Sequence, residues 1–359
     1  MGHAVAKWAD FQAAKLSQKL FGREIFADLP APVRESDPQD VACRPGLFEP
    51  DQLDRVRHCY LNRTLRGVMD NWAADRFTET PMETYHLGAA TVLPGVIYTR
   101  SARHWFSLSV PKLADVLGSY ERNRHTVLLN SMQGIRYFGH WLGDDTTVYE
   151  AYRGHPDICS VHLRDWADLG FFQAAFQQNW RQHRVIDTDN LILNRNVGFS
   201  RKKTQHWHQM RDRLRQHIQP GPGAGKVVYI SRGASASQRE ISNWDALHRW
   251  LSDQNIPVVT PENDTAEFTR NILDADVIIS VEGSQACHAI YNLRPGGALL
   301  ILQPPDRFHS GAQEWMRPLD MHCGMVIGTQ TETGFDINPD EVSAMADRLL
   351  NAVAAARMI

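Results

Sequence analysis

Between Lys226 and Pro305, four short apolar runs (227–230, 256–260, 277–281 and 298–302) alternate with segments of helical period. Runs this short, with no polar face, suit strands covered on both sides, as in a parallel sheet. Strand and helix in strict alternation predict a doubly wound half-domain. Ser242 or Asn243 can cap a helix carrying Trp244, Leu247 and Leu251. Asp264 or Thr265 can cap the next, with Phe268, Ile272 and Leu273 turned inward. An irregular stretch, 303–335, follows the fourth strand. The period then resumes in a final helix from Pro339 to Met358, through Val342, Met345, Leu349, Leu350 and Val353.

Upstream the pattern is looser. Strands are expected at 96–98, 126–130 and 160–163, and a helix at 165–180 with Trp166, Leu169, Phe172 and Phe176 on one side. Arg201 to Ile218 reads as a basic amphipathic helix whose polar face is solvated. Residues 1–50 combine an amphipathic segment (Trp8, Phe11, Ala14, Leu16, Leu20) with a Pro- and charge-rich stretch expected to be extended, wrapping or loosely ordered. Gln-Pro-Gly-Pro-Gly-Ala-Gly at 219–225 is the strongest linker signal. The expected organisation is an N-terminal extension and start of the first domain at 1–90, an α/β domain at 91–218, the linker, and a second α/β domain at 226–359. The fold class is α/β, with two Rossmann-like domains facing across a cleft.

Composition narrows the function. The 359 residues are 43% hydrophobic, enough for two cores, and the formal net charge of −3 argues against a nucleic-acid partner. Five scattered cysteines without a C-x-x-C pair argue against a disulfide framework and fit a reducing compartment. No apolar run approaches 18 residues, and Trp8, Asp10 and Lys15 interrupt the apolar character of the first residues. A cytoplasmic protein is expected.

Candidate chemistry collects where the strands end, which is where open α/β sheets bind ligands. Ser231-Arg232, a small flexible run and Arg239 can wrap an anion, with guanidinium forks and loop N–H groups on its oxygens. Glu282-Gly283-Ser284 follows a strand and opens a helix. Gly283 permits close backbone approach, Glu282 can accept sugar or ribose hydroxyls, and His288 shares a face with Ser284. In the first half, His140 and Asp144 are spaced i,i+4 inside Tyr137-Phe-Gly-His-Trp-Leu-Gly-Asp-Asp145, and a carboxylate or imidazole there can take a hydroxyl proton. Two D-x-D pairs, Asp187-Thr-Asp189 and Asp274-Ala-Asp276, look like metal sites, but patterns so short recur by chance, and no obligatory metal is expected.

Together these motifs resemble glycosyltransferase family 61 over roughly residues 125–310. The resemblance is carried by His140-Trp141-Leu-Gly-Asp144, Ser231-Arg232, Arg239-Glu-Ile-Ser-Asn243, Pro261-Glu262, Ala275-Asp-Val-Ile-Ile279 and Glu282-Gly283-Ser284-x-x-x-His288-Ala289. The family's usual Asn-Glu reads Asn243-Trp244 here, and its His-Gly reads Glu282-Gly283. The resemblance implies a GT-B-like fold and inverting, metal-independent transfer from a nucleotide sugar, UDP being the expected nucleotide, to a glycan such as a bacterial capsular or surface polysaccharide. No cofactor is implied beyond the donor, and a membrane-linked acceptor would bring the protein to the inner face of the membrane. It places Ser231, Arg232, Arg239, Asn243, Glu262, Glu282, Gly283, Ser284 and His288 at the donor. Asp144 is the expected base with His140 and Asp145 as alternates, and Tyr137, Trp141 and Trp105 are expected to stack on acceptor sugars. Two other readings fit the same frame: a non-catalytic nucleotide- or carbohydrate-binding assembly protein, and a nucleotide-sugar epimerase.

Overall fold

The computed structural model describes residues 2–21, 31–100, 102–105, 111–118, 120, 122–161, 166, 168–232, 239–261 and 264–357. The protein is α/β and forms two compact units, each assembled from separate stretches of chain. Unit 1 comprises Met1–Pro38, Thr80–Trp166 and Gln178–Gly198; unit 2 comprises Gln39–Glu79, Ala167–Gln177 and Phe199–Ile359. The 219–225 segment, expected as a linker, turns within unit 2, where Gly221 and Gly225 donate their N–H groups to the carbonyls of Arg270 and Asp274 at 2.9 and 2.8 Å.

Unit 2 holds the expected parallel sheet. Its strands are β1 (Val227–Ile230), β2 (Val258–Val259), β3 (Ala275–Val281), β4 (Leu293–Gln303) and β5 (His322–Ile327), in the order β2-β1-β3-β4-β5, all parallel. Strand β3 is buried along its whole length, as its apolar run requires. Helix Trp244–Asp253 packs Leu247 and Leu251 on one face of this sheet, and helix Pro339–Ala356 adds Val342, Met345, Leu349 and Val353 to the same core. Each such side chain contributes roughly 1.5–3 kcal/mol on burial. Asp264 caps helix Thr265–Ile272, its Oδ1 accepting from Ala266 and Glu267 N–H at 2.9 and 3.0 Å.

Strand β5 lies inside the stretch expected to be irregular. Its run, Cys-Gly-Met-Val-Ile, contains a glycine that reads as a breaker, but Gly324 is where Met345 and Leu349 press onto the sheet. The outer edge of β5 is covered: Leu47 donates to Cys323 O at 2.8 Å and accepts from Met325 N–H at 3.1 Å. The Pro- and charge-rich stretch thus runs extended from residue 39, as expected, and belongs to unit 2.

Unit 1 carries a six-stranded mixed sheet, in the order Val33–Arg34, Glu83–His86, Leu191–Arg195, Thr126–Leu128, Ile158–Val161, Arg181–His183, whose last four strands are parallel. A second sheet of five strands is largely antiparallel and includes Ala90–Leu93, Val96–Tyr98 and Arg103–Trp105. The first half is therefore α/β but not a single doubly wound sheet. Helix Gly2–Phe21 packs Phe11 and Ala14 against Leu93, Val96 and Tyr98.

Candidate active site

In the order β2-β1-β3-β4-β5 the direction of winding reverses between β1 and β3, and that crevice, at the carboxyl ends of the strands, is where doubly wound sheets take ligands. Ser231 and Arg232 leave β1 there, and Glu282 and Gly283 leave β3. Arg232 Nη1 donates to the carbonyl of Glu282 at 2.9 Å and to Gln285 Oε1 at 3.1 Å. Arg239 Nη1 reaches the same carbonyl and lies 2.5 Å from Glu282 Oε2. Two guanidinium groups, separated by six residues in sequence, thus converge on one turn.

Gly283 makes this possible. Its φ of +149° suits glycine, and a Cβ at this position would collide with Nη1 of both arginines. Burial lowers the Arg232 pKa to about 10, with the neighbouring Arg239 adding to the effect. Burial likewise lowers that of Arg239, against the opposing pull of Glu282. An arginine keeps its charge at neutral pH, and the partial burial of both leaves them poorly hydrated, which strengthens their attraction for an anion.

The second cluster lies in unit 1. Ser131 caps helix Met132–Arg136, accepting Gly134 N–H at 2.8 Å, and the chain then passes through Phe138–His140 into a π-helical turn, Trp141–Asp145. Such turns free backbone carbonyls and are often found at functional sites. Here neighbouring side chains satisfy them: Thr146 Oγ1 donates to Leu142 O at 2.7 Å, Thr147 Oγ1 to Asp144 O at 2.6 Å, and Asn196 Nδ2 to Thr147 Oγ1 at 2.7 Å. Held in this turn, Asp144 is buried, and its Oδ2 lies 2.6 Å from His140 Nδ1. The His140 side chain is 37% exposed. An imidazole that donates Nδ1–H to a carboxylate presents a basic Nε2.

The profile of the family Glycosyltransferase 61 matches residues 103–300, more than half of the chain. The chain belongs to glycosyltransferase family 61. A search of curated proteins finds no match to it.

Several residues expected at the site of this family 61 enzyme have other work. His288 is wholly buried between the rings of Phe172 and Phe268, with centroids 5.7 and 4.8 Å away, and its Nε2 is 3.8 Å from Asp168 Oδ2. It is packed in the core of unit 2. Asn243 bonds both ways with the backbone of Ile337, donating at 2.7 Å and accepting at 2.9 Å, so its amide holds chain segments together. Asp145 accepts Ser131 N–H at 3.1 Å and lies where a Cβ on Gly134 would stand, which gives it a structural role. Trp141 is buried against Trp166 and Phe138, with centroids 5.6 and 5.7 Å away, and offers no open face to a sugar.

Tyr137 and Trp105 of this transferase are exposed, with the guanidinium of Arg103 5.5 Å from the Trp105 ring centre. Ser231 Oγ shares a 2.6 Å hydrogen bond with Thr260 Oγ1, and Ser284 opens the 3-10 turn Ser284–His288. Glu262 lies outside the described residues. The D-x-D carboxylates are in ion pairs: Asp189 with Arg122 at 2.6 Å, Asp187 with the same arginine at 3.5 Å, Asp274 with Arg215 at 2.6 Å, and Asp276 with Arg357 and Arg294 at 2.5 and 3.1 Å. Sequence reasoning missed Arg307, whose Nε lies 3.5 Å from Glu282 Oε2, because it sits in a stretch without periodicity.

Proposed function

We propose that this glycosyltransferase is an inverting, metal-independent enzyme that moves a sugar from a nucleoside-diphosphate donor, UDP being the expected carrier, to a hydroxyl of a surface or capsular polysaccharide. In this reading the chain has a GT-B-like organisation, with unit 2 as donor half and unit 1 supplying the base. The convergence of Arg232 and Arg239 on the Glu282-Gly283 turn carries the proposal. Cations and N–H donors preorganised at a switch point are suited to charge developing on a leaving diphosphate. The engagement of the D-x-D carboxylates with arginines favours arginine over metal in that role.

The base is the His140–Asp144 pair. Asp144 orients the imidazole and stabilises the imidazolium, while Nε2 of the more exposed His140 takes the acceptor proton. A single displacement then inverts the anomeric centre. The acceptor's stacking surface includes Tyr137 and Trp105. The protein acts in the cytoplasm and meets membrane-linked glycan at the inner face; among the described residues no helix is long and apolar enough to cross a membrane.

Thermal shift against UDP, GDP, CMP and TDP, with and without EDTA, tests the donor assignment, since a ligand of the native state raises its apparent stability. One nucleotide giving an EDTA-insensitive shift that disappears in Arg232→Ala is the expected result. Full activity in a folded Arg232→Ala protein would sink it. The anomeric configuration of the product, read by NMR, decides inversion.

A further inference from the structure

Residues 39–79 precede the family-matched region, yet they belong to unit 2 and are tied to the chain that follows β4. Arg57 and His58 donate N–H groups to the carbonyl of Pro305 at 2.7 and 3.1 Å. Tyr60 donates to Phe308 O at 2.9 Å, and Phe308 to His58 O at 2.8 Å. Asn71 Nδ2 donates to Ser310 Oγ at 2.9 Å and Glu314 Oε1 at 2.7 Å. This backbone pairing sets the Tyr60 ring against Arg307, whose guanidinium carbon lies 3.8 Å from the ring centre. His309 meets the same ring edge-on at 5.2 Å.

Arg307 differs from its two neighbours. Arg232 and Arg239 each donate to the carbonyl of Glu282, whereas the Arg307 side chain makes no hydrogen bond to a described residue. Its contacts are the ion pair of Nε with Glu282 Oε2 at 3.5 Å and the stack on Tyr60. A guanidinium stacked on an aromatic ring keeps its N–H donors in its own plane, where an oxyanion can take two at once. The three guanidinium groups outnumber the carboxylates that act on them, Glu282 and the exposed Asp306, and the positive charge left over suits the diphosphate of a nucleotide sugar.

We propose that Arg307 is a third phosphate-binding cation of the donor site, and that Tyr60, like Arg307 outside the family-matched region, is its positioning residue. The proposal rests on the donor-site reading above. UDP, GDP, CDP and TDP, each beside its monophosphate, are titrated against wild type, Arg232→Ala, Arg307→Gln, Arg307→Lys, Tyr60→Phe and Tyr60→Leu. Unliganded melting temperatures establish that each variant is folded, and Arg307→Lys provides the readout should Arg307→Gln not fold.

Loss of a charge-assisted pair predicts that Arg307→Gln weakens the preferred diphosphate roughly ten- to hundredfold, with Arg307→Lys in between. Tyr60→Phe keeps the stack and wild-type affinity, while Tyr60→Leu behaves like a weaker Arg307→Gln. A purely structural tyrosine would move the unliganded melting temperature and leave diphosphate affinity unchanged. Unaltered affinity in folded Arg307 variants, with binding lost in Arg232→Ala, overturns this proposal and leaves the donor site standing. Wild-type affinity in Tyr60→Leu overturns the positioning role. Absence of binding to every nucleotide by the wild type overturns both readings together.

Discussion

Gly283 lies directly against the guanidinium of Arg232, with no room between them for a Cβ. The backbone turn and the cation therefore specify one another: only glycine lets β3 end in this conformation while Arg232 holds the Glu282 carbonyl. Gly283→Ala should cost about 1–3 kcal/mol of stability from the unfavourable φ. It should also displace both arginines and lower nucleotide affinity at least tenfold. Urea denaturation and nucleotide titration check the two effects separately.

The two adjacent aspartates of the π turn should fail differently. Asp144→Asn replaces the acceptor of the His140 bond and should reduce kcat about a hundredfold or more while the donor KM stays near wild type, within the range expected for general base catalysis. Asp145→Ala removes the acceptor of Ser131 N–H and should lower stability by about 1–3 kcal/mol. Steady-state kinetics beside melting curves tell them apart, and equal loss of kcat in a stable Asp145→Ala protein would move the base from the His140–Asp144 pair to the alternate, Asp145.

Asn243 gives a test of structure against ligand contact. Asn243→Ala leaves the N–H and carbonyl of Ile337 without their partners and should destabilise unit 2 by about 1–3 kcal/mol. Affinity for the donor nucleotide should be unchanged once the protein is folded. Selective loss of nucleotide binding at unchanged stability would put this residue back in the donor site.

Acid should destabilise the protein through its buried histidines. Burial lowers the pKa of His288 below 6.5, opposed by Asp168, and burial is also the largest cause of the lowered values of His309, His322 and His208. Between the folded and unfolded pKa values the unfolded chain binds more protons. The contribution of these groups is therefore present above about pH 6.5 and is lost as pH falls towards the folded values. Urea midpoints should be lower at pH 5 than at pH 7.5, and His288→Gln should narrow the difference by roughly 1 kcal/mol per pH unit of that window. An unchanged difference would mean that His288 does not titrate on unfolding.

The parallel sheet of unit 2 was legible because β1, β3 and β4 are buried on both faces, and burial of that kind leaves an apolar run in the chain. The edge strand β2 shrank from the expected 256–260 to Val258–Val259, since an edge has fewer neighbours to hold it. β5 was missed because its pairing, and not its composition, makes it a strand. In unit 1 the strand Val96–Tyr98 was found but its antiparallel partners were not, as alternation says nothing about which strand lies beside which.

Among site residues, Arg232, Arg239 and Gly283 could be read from their place after apolar runs, and the i,i+4 spacing of His140 and Asp144 anticipated their hydrogen bond. His288, Trp141 and Asn243 could not be judged the same way, because a polar or aromatic side chain next to a motif reads alike whether it faces solvent or core. Order along the chain was enough to locate the strand ends and the charges they carry. Burial and the joining of remote segments were decided only in three dimensions. Tyr60 meets Arg307 across nearly 250 residues because backbone hydrogen bonds tie segment 39–79 to the chain after β4, a relation that local propensity does not encode.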